Sequence, residues 1–404
     1  MSDLENPRLR PIDVIPVQQG QQTVYVLMDR SGLQEEQVAV SGLGAAILPM
    51  LDGEHTIREI QVDLTRRSGQ LVMSDHVEGI LRQLDDAHLL DTPALEAYRQ
   101  EKLADYRESG ARRPRRHLGY PSEPDAFAEM TDSWMEALPP REQALDGSVV
   151  GALAPHIDFE RGSMGYAHAY RDLSDACEAD LFIIIGTDHT GDTQFAATRN
   201  DFETGLGRVK TAGDVLERME ERFIGDLFEG ELQHVGEHAI EFQVVLLQHF
   251  IDHDFEIVPL LCGGFAEEMI EGEPELRNAE ALCMVDVLRD VVENSGRKAC
   301  IIASADLSHV GPQFGLDRPL TPGYLEEVEK HDRAVLELAM NGDADGMFAA
   351  VAERRNDTNI CGLGPIYLTV KALGDCRREL LDYRQATSPD RQQSVSFAAA
   401  TFSG

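Results

Sequence analysis

The chain has 404 residues, enough for two domains with separate cores. It carries 72 Asp and Glu against 36 Lys and Arg, a formal net charge of −36. That balance argues against nucleic acid, whose binding rests on phosphate neutralisation by basic side chains. No apolar run reaches membrane-spanning length, and the polar stretch Met1 to Arg10, with Pro7, does not read as a signal peptide. The expectation is a soluble, cytoplasmic protein. Six cysteines (Cys177, Cys262, Cys283, Cys300, Cys361 and Cys376) are scattered without a CxxC pair, which fits thiols in a reducing compartment. The first four lie in or beside apolar segments and are expected to be buried.

Residues 1–95 read as a small unit of their own. Val24 to Met28 is a strand, and Leu33 to Val40 a connection holding the acidic pair Glu35 and Glu36. Ser41 opens a helix with Leu43, Ala46, Ile47 and Leu51 on one side, stopped by Asp52-Gly53. Thr56 caps a second helix, ending at Ser68-Gly69, and Ser74 caps a third that carries Val77, Ile80, Leu81, Leu84 and Leu89. One strand and three short helices predict a winged-helix arrangement. The segments LDGEHTIREI and DDAHLLD resemble the PqqD-like family. That resemblance implies recognition of a precursor or modified peptide beside a radical-chemistry enzyme. A winged helix with another partner fits the same spacing. With 15 acidic residues against seven Arg and no Lys up to Leu95, DNA reading is disfavoured.

Residues 96–111 read as a polar linker in which Tyr98 to Glu108 is helix-compatible. The basic cluster Ala111 to His117 (ARRPRRH) most simply neutralises the protein's own acidic surface. From 112 to 404 strands alternate with helices. Strands are predicted before His156, before His189, over Phe202 to Val209, over Phe255 to Leu261, into His309, and over Ser394 to Phe402. Helices are predicted over Asp125 to Ala137, Gly165 to Ala176, Ala212 to Phe228, Glu237 to Phe250, Ala279 to Glu293, Tyr324 to Asn341, Asp343 to Arg354 and Pro365 to Leu373. The fold class is therefore α/β: a mostly parallel sheet covered on both faces, an αβα sandwich.

Three apolar strands run straight into polar histidine loops: VVGALAPH to His156, LFIIIGTDH to His189, and IIASADLSH to Asp306 and His309. Ligands of open α/β sheets bind outside the carboxyl ends of the strands, so these histidines can converge. Cys361, in the glycine-rich turn NICGLGP before a helix, can supply a thiolate. His238 and Glu241, at i and i+3, share a helix face that is read either as pocket or as helix surface. Two His and one Cys with an open position suit iron, zinc or copper. Asp158, Asp188, Asp306 and Glu241 could orient the imidazoles or act as acids and bases.

The stretches RRHLGYPSEPDAF, APHIDF, IIIGTDHTG, FETGLGRVKT, GEHAIEFQVVLL, IIASADLSHVG, DTNICGLGPI and ATSPDRQQSVSFAA resemble the Memo-like family, known in microbes as AmmeMemoRadiSam system protein B. The likeness covers roughly 290 residues to the C-terminus. It implies a fold similar to LigB-type class III extradiol dioxygenases. It also implies metal binding by His156, His189 and Cys361, with His309 beside Asp306 as a further active-site group. The extradiol relatives use a carboxylate as third ligand, so the cysteine puts simple dioxygenase chemistry in doubt. TGLG (Thr204 to Gly207) stands where the family has TPLG, and is expected near the site's rim.

Together these features predict a mononuclear iron redox enzyme, with copper or zinc as alternative ions. His309, Asp306, His238 and Glu241 are the candidate catalytic residues. The rival readings are a non-catalytic metal- or peptide-binding accessory of a radical SAM partner, and a zinc hydrolase.

Overall fold

The computed structural model describes residues 5–19, 22–29, 31, 33, 38–115, 118–141, 145, 147–189 and 193–404. Glu35, Glu36, Arg116 and His117 lie outside that set. The chain divides into two compact units, Met1–Glu108 and Ser109–Gly404.

The first unit opens with a three-stranded antiparallel sheet in the order β1 (Asp13–Gln19), β2 (Gln22–Met28), β3 (Val38–Val40). Only β2 is evident in the sequence. Helices α1 (Gly42–Ile47), α2 (Ile57–Ser68), α3 (Ser74–Asp86) and α4 (Pro93–Ser109) follow. The start of α2 is set by a capping box in which the Thr56 hydroxyl accepts from Glu59 N and the Glu59 carboxylate returns to Thr56 N. Ser74 is not the cap of α3; Met73 holds that position, and the Ser74 hydroxyl donates to Gln61 Oε1 at 2.9 Å. Ile47, Ile60, Leu64, Val77, Leu81 and Leu84 form the core. Within the span 96–111, the helix-compatible stretch Tyr98 to Glu108 lies inside the 17-residue helix α4.

The second unit begins with β4 (Ala111–Arg112) and α5 (Pro124–Ala137). Then come β5 (Val149–Ala154), α6 (Phe159–Ala176), β6 (Leu181–Thr187), β7 (Phe195–Ala197), β8 (Asp201–Thr204) and β9 (Gly207–Val209). Next are α7 (Gly213–Glu220), α8 (Ala239–Phe250), β10 (Glu256–Cys262), α9 (Ala266–Glu271), α10 (Ala279–Asn294), β11 (Ala299–Ser304) and β12 (Asp306–Val310). The chain closes with α11 (Pro322–Met340), α12 (Ala344–Glu353), α13 (Leu363–Leu373), β13 (Arg377–Thr387) and β14 (Ser394–Ser403).

The main sheet has eight strands in the order β12-β14-β5-β11-β6-β10-β7, with β13 also on β14. Its centre, β5-β11-β6-β10, is parallel, and its flanks are antiparallel. Alternate residues of the central strands face opposite layers. Phe182, Ile184, Cys300 and Ile302 pack with α5, α6 and α8. Leu181, Ile183, Ile185, Ile301 and Ala303 pack with α7 and α10 to α13. A sheet buried on both faces explains why these strands read as unbroken apolar runs. Each fully buried Ile contributes about 1.5–3 kcal/mol, so these runs anchor the sheet.

Three expectations change. The helix predicted over Ala212 to Phe228 stops at Glu220. Strand β13 has no clear sequence pattern because a register shift between Leu380 and Asp382 breaks the two-residue alternation of an edge strand. The apolar strand ends at Ser304, as its sequence indicates, but the stretch after it, read as a loop, is a second strand, β12, which leaves the line of β11 to pair with β14.

Candidate metal centre

His156 and His189 each lie two residues beyond a parallel strand, β5 and β6, on the two sides of β11. The registers pair Ser304 with Ala154 and with Gly186, so the three strands end level. This delivers both imidazoles to one spot: their ring centroids are 5.0 Å apart. The Cys361 turn lies along the free side of β12, with Cys361 N donating to Leu307 O, Gly362 N to Asp306 O and His309 N to Thr358 O. Glycine is required at 362, because a Cβ there would meet Asp306 O at 2.3 Å and Ala305 Cβ at 2.5 Å. That close approach puts Cys361 Sγ 3.3 Å from His156 Nε2. One donor atom each from His156, His189 and Cys361 lies within 4.8 Å of the others.

The imidazoles are oriented. His156 Nδ1 is 2.9 Å from Ser304 O and His309 Nδ1 is 3.0 Å from Leu307 O. A carbonyl only accepts, so both Nδ1 atoms carry a proton, and each Nε2 offers an electron pair once its ring is neutral. Glu237 does the same for two more rings. Its Oε2 accepts from His189 Nδ1 at 2.9 Å and its Oε1 lies 2.9 Å from His238 Nδ1. It also accepts the main-chain N–H groups of His189, His238 and Ala239. The His238 ring stacks on His189 at 5.4 Å with 14° between planes. An acceptor behind each ligating histidine is the usual outer shell of a protein metal site.

Charge follows the same pattern. Burial opposes protonation of His156, but Asp306 and Cys361 outweigh it and hold the ring at about 9. Burial also opposes charge on His189, and Glu237 and Cys361 raise it well above the ordinary imidazole range. For Cys361 burial raises the thiol, yet the charges of His156 and His309, with hydrogen bonds from His156 and His189, hold it well below its usual value. Glu237 is held well below the carboxylate range, against burial, by His189 and His238. Burial keeps Asp306 raised and His238 lowered. The centre is thus a thiolate among imidazoles. A cation bound there would displace protons.

Of the residues picked from sequence, His156, His189 and Cys361 come together, with His309, Asp306 and His238 around them. Asp306 does not hold the His309 ring as expected. Its Oδ1 accepts from His156 N at 3.0 Å, and its Oδ2 lies 3.7 Å from His156 Nε2. Glu241 is not brought to the cluster: its carboxylate is engaged by Arg112, Arg115 N and the Tyr120 hydroxyl. The helix-face argument failed because His238 is the residue before α8, not inside it. Glu237, the group that matters, was missed, and its signal was an acid directly before a helix start. Asp158 caps α6 by accepting from Arg161 N. TGLG is the turn between β8 and β9, where Thr204 bonds Gln248 at the far end of α8, so it is not at the rim. Cys283 is half-buried rather than buried.

Fold and site together define an α/β sandwich protein with a His–His–Cys cluster at the carboxyl edge of its parallel strands. Residues 113–401 match the Memo-like protein family, and the chain belongs to that family. A MEMO1 family protein of Methanosarcina mazei is 32% identical over 271 residues, 65% of this chain and 88% of that protein. One of Methanopyrus kandleri is 28% identical over 295 residues, 70% of this chain and 95% of its own length. One of Aquifex aeolicus is 25% identical over 402 residues, 98% of this chain and 99% of its own length, so the alignment runs through both units. No helix among the described residues is long and apolar enough to cross a membrane.

Proposed function

We propose that the second unit is a mononuclear metal centre with His156, His189 and Cys361 as ligands, serving a redox reaction related to that of the extradiol dioxygenases. One observation carries this reading: three donor atoms from separate loops converge within 4.8 Å, and both ligand imidazoles have Nδ1 already engaged by protein acceptors. The residues fit the ion. A thiolate beside two imidazoles is a soft-to-borderline donor set, suited to iron first and to copper or zinc as alternatives. When bound, such an ion supplies electron transfer or Lewis acidity at an open coordination position. His309, with Nδ1 held by Leu307 O and its ring hydrogen-bonded to Cys361, moves the proton. Asp306 fixes the His156 loop, and His238 borders the same space.

Elemental analysis of anaerobically purified protein tests this, wild type beside Cys361→Ala, His189→Ala and His309→Asn. Near-stoichiometric iron or copper, lost in the first two and kept in the third, is the expected result. Oxygen uptake should then fall in His309→Asn. No metal in wild type, even after reconstitution, would overturn the reading. Activity restored by zinc without oxygen would favour a hydrolase.

A second reading is that the chain is a cytoplasmic accessory whose first unit presents a peptide to a radical SAM partner. Its support is the sheet followed by helices, in keeping with a PqqD-like winged helix, and the full-length alignment with the Aquifex aeolicus relative. Peptide binding by the full chain without metal-dependent turnover would favour it.

A further inference from the structure

Among the described residues Arg112 is the largest fully buried side chain, with no solvent exposure, and the proposed chemistry does not use it. It sits on the two-residue strand β4. Its guanidinium works in three directions at once. Nε donates to His234 O at 2.9 Å, Nη2 donates to Glu237 O at 2.7 Å, and Nη1 donates to the Glu241 carboxylate. The two carbonyls bracket the turn that leads into α8. The carboxylate fixes that bracket to the first turn of the helix itself. Glu241 in turn accepts Arg115 N at 2.9 Å and the Tyr120 hydroxyl, so Arg115 and Tyr120 are tied to the same turn.

This hold falls on Glu237, the residue with the strictest geometric task in the centre. Its single carboxylate serves His189 and His238 and three main-chain N–H groups. A small rotation of its main chain would break that arrangement on one side. We propose that Arg112 is a positioning residue: it fixes the main chain at Glu237 so that one carboxylate orients both His189 and His238. A planar fork can do this, and a lysine, with one terminal ammonium, cannot reach all three acceptors.

The metal arm of the test rests on the reading above, and the other arm does not. Wild type, Arg112→Lys and the charge-neutral pair Arg112→Met/Glu241→Gln are compared; the pair serves if the lysine variant does not fold. In metal-free, ¹⁵N-histidine-labelled protein, the Nδ1–H signals of His189 and His238 should shift or exchange faster in the variants. Those of His156 and His309, held by Ser304 and Leu307 carbonyls, should stay. Cobalt(II) titration should show affinity weakened by about tenfold, with the thiolate–cobalt absorption retained, in line with loss of an outer-shell support. All four ring signals unchanged, or all four altered together, overturns the inference. Wild type that binds no cobalt overturns the metal reading, and the ring signals alone then decide Arg112.

Discussion

The Sγ of Cys361 lies 3.3 Å from the Nε2 of His156, although 205 positions separate them in the chain. A tetrahedral ion with bonds of about 2.3 Å to sulfur and 2.0–2.1 Å to nitrogen would hold these atoms about 3.6 Å apart. A few tenths of an ångström therefore separate the metal-free arrangement from a ligating one. Cys361→Ser should abolish the thiolate charge-transfer absorption of cobalt-loaded protein. It should also weaken binding by more than the roughly 10–100-fold that loss of an outer-shell partner costs. Absorption that survives this change would remove Cys361 from the ligand set.

Glu237→Gln keeps shape and loses charge. The amide can accept from one imidazole but turns an N–H toward the other. Metal affinity, read by competition with a chromophoric chelator, should fall about 10–100-fold while the fold is retained. An unchanged constant would mean that His189 needs no acceptor behind it.

The pH dependence has a definite sign. In metal-free protein His156 is raised from 6.5 to about 9, so its protonation stabilises the fold fully below 6.5, and this contribution disappears as pH climbs through about 9. Cys361 is lowered, so its contribution is complete above 9.0 and fades as pH falls through its depressed value. A metal needs the imidazole neutral. Apparent affinity should therefore rise between about pH 6.5 and 9, with protons released on binding, measured by calorimetry in two buffers of different ionisation enthalpy. A flat profile across that window would contradict the assignment.

Gly362→Ala tests the close approach of the cysteine turn. Its Cβ would strike backbone at Asp306 and Ala305, which cannot yield as a side-chain tip would. The expected cost is about 1–3 kcal/mol in denaturant unfolding, as for overpacking elsewhere, with metal retention reduced as well. Full stability would show that the turn has slack.

The central strands were legible because burial on both faces writes an unbroken apolar run, as in LFIIIGT. His156 and His189 were legible for the same reason: a polar residue just past such a run marks the sheet's carboxyl edge. Where local pattern and tertiary role diverge, reading failed. Glu241 has ideal helical spacing from His238, but only the fold reveals Arg112 beside it, 129 positions away. The edge strand β1 is exposed along most of its length and β13 is half-buried through most of its own, so no clear apolar alternation announces them. Helix α4 is largely polar and only weakly amphipathic, so its helical character was legible over Tyr98 to Glu108 but its start at Pro93 was not.

The strand that bears His309 pairs with only one neighbour among the main-sheet strands, β14, and the cysteine turn is stitched to that same strand. This sets a clock during synthesis. At about 5–20 residues per second, Cys361 emerges roughly 10–40 s after His156, and β14 later still. Through that interval the nascent chain offers imidazoles and carboxylates without the thiolate. An ion captured early is held without Cys361, although Cys177, Cys262, Cys283 and Cys300 have already been made, so the sulfur of the proposed site is the last of its donors to arrive. Chains stalled on the ribosome before Cys361, with Cys177, Cys262, Cys283 and Cys300 replaced by alanine, should accordingly bind cobalt weakly and without a sulfur absorption band.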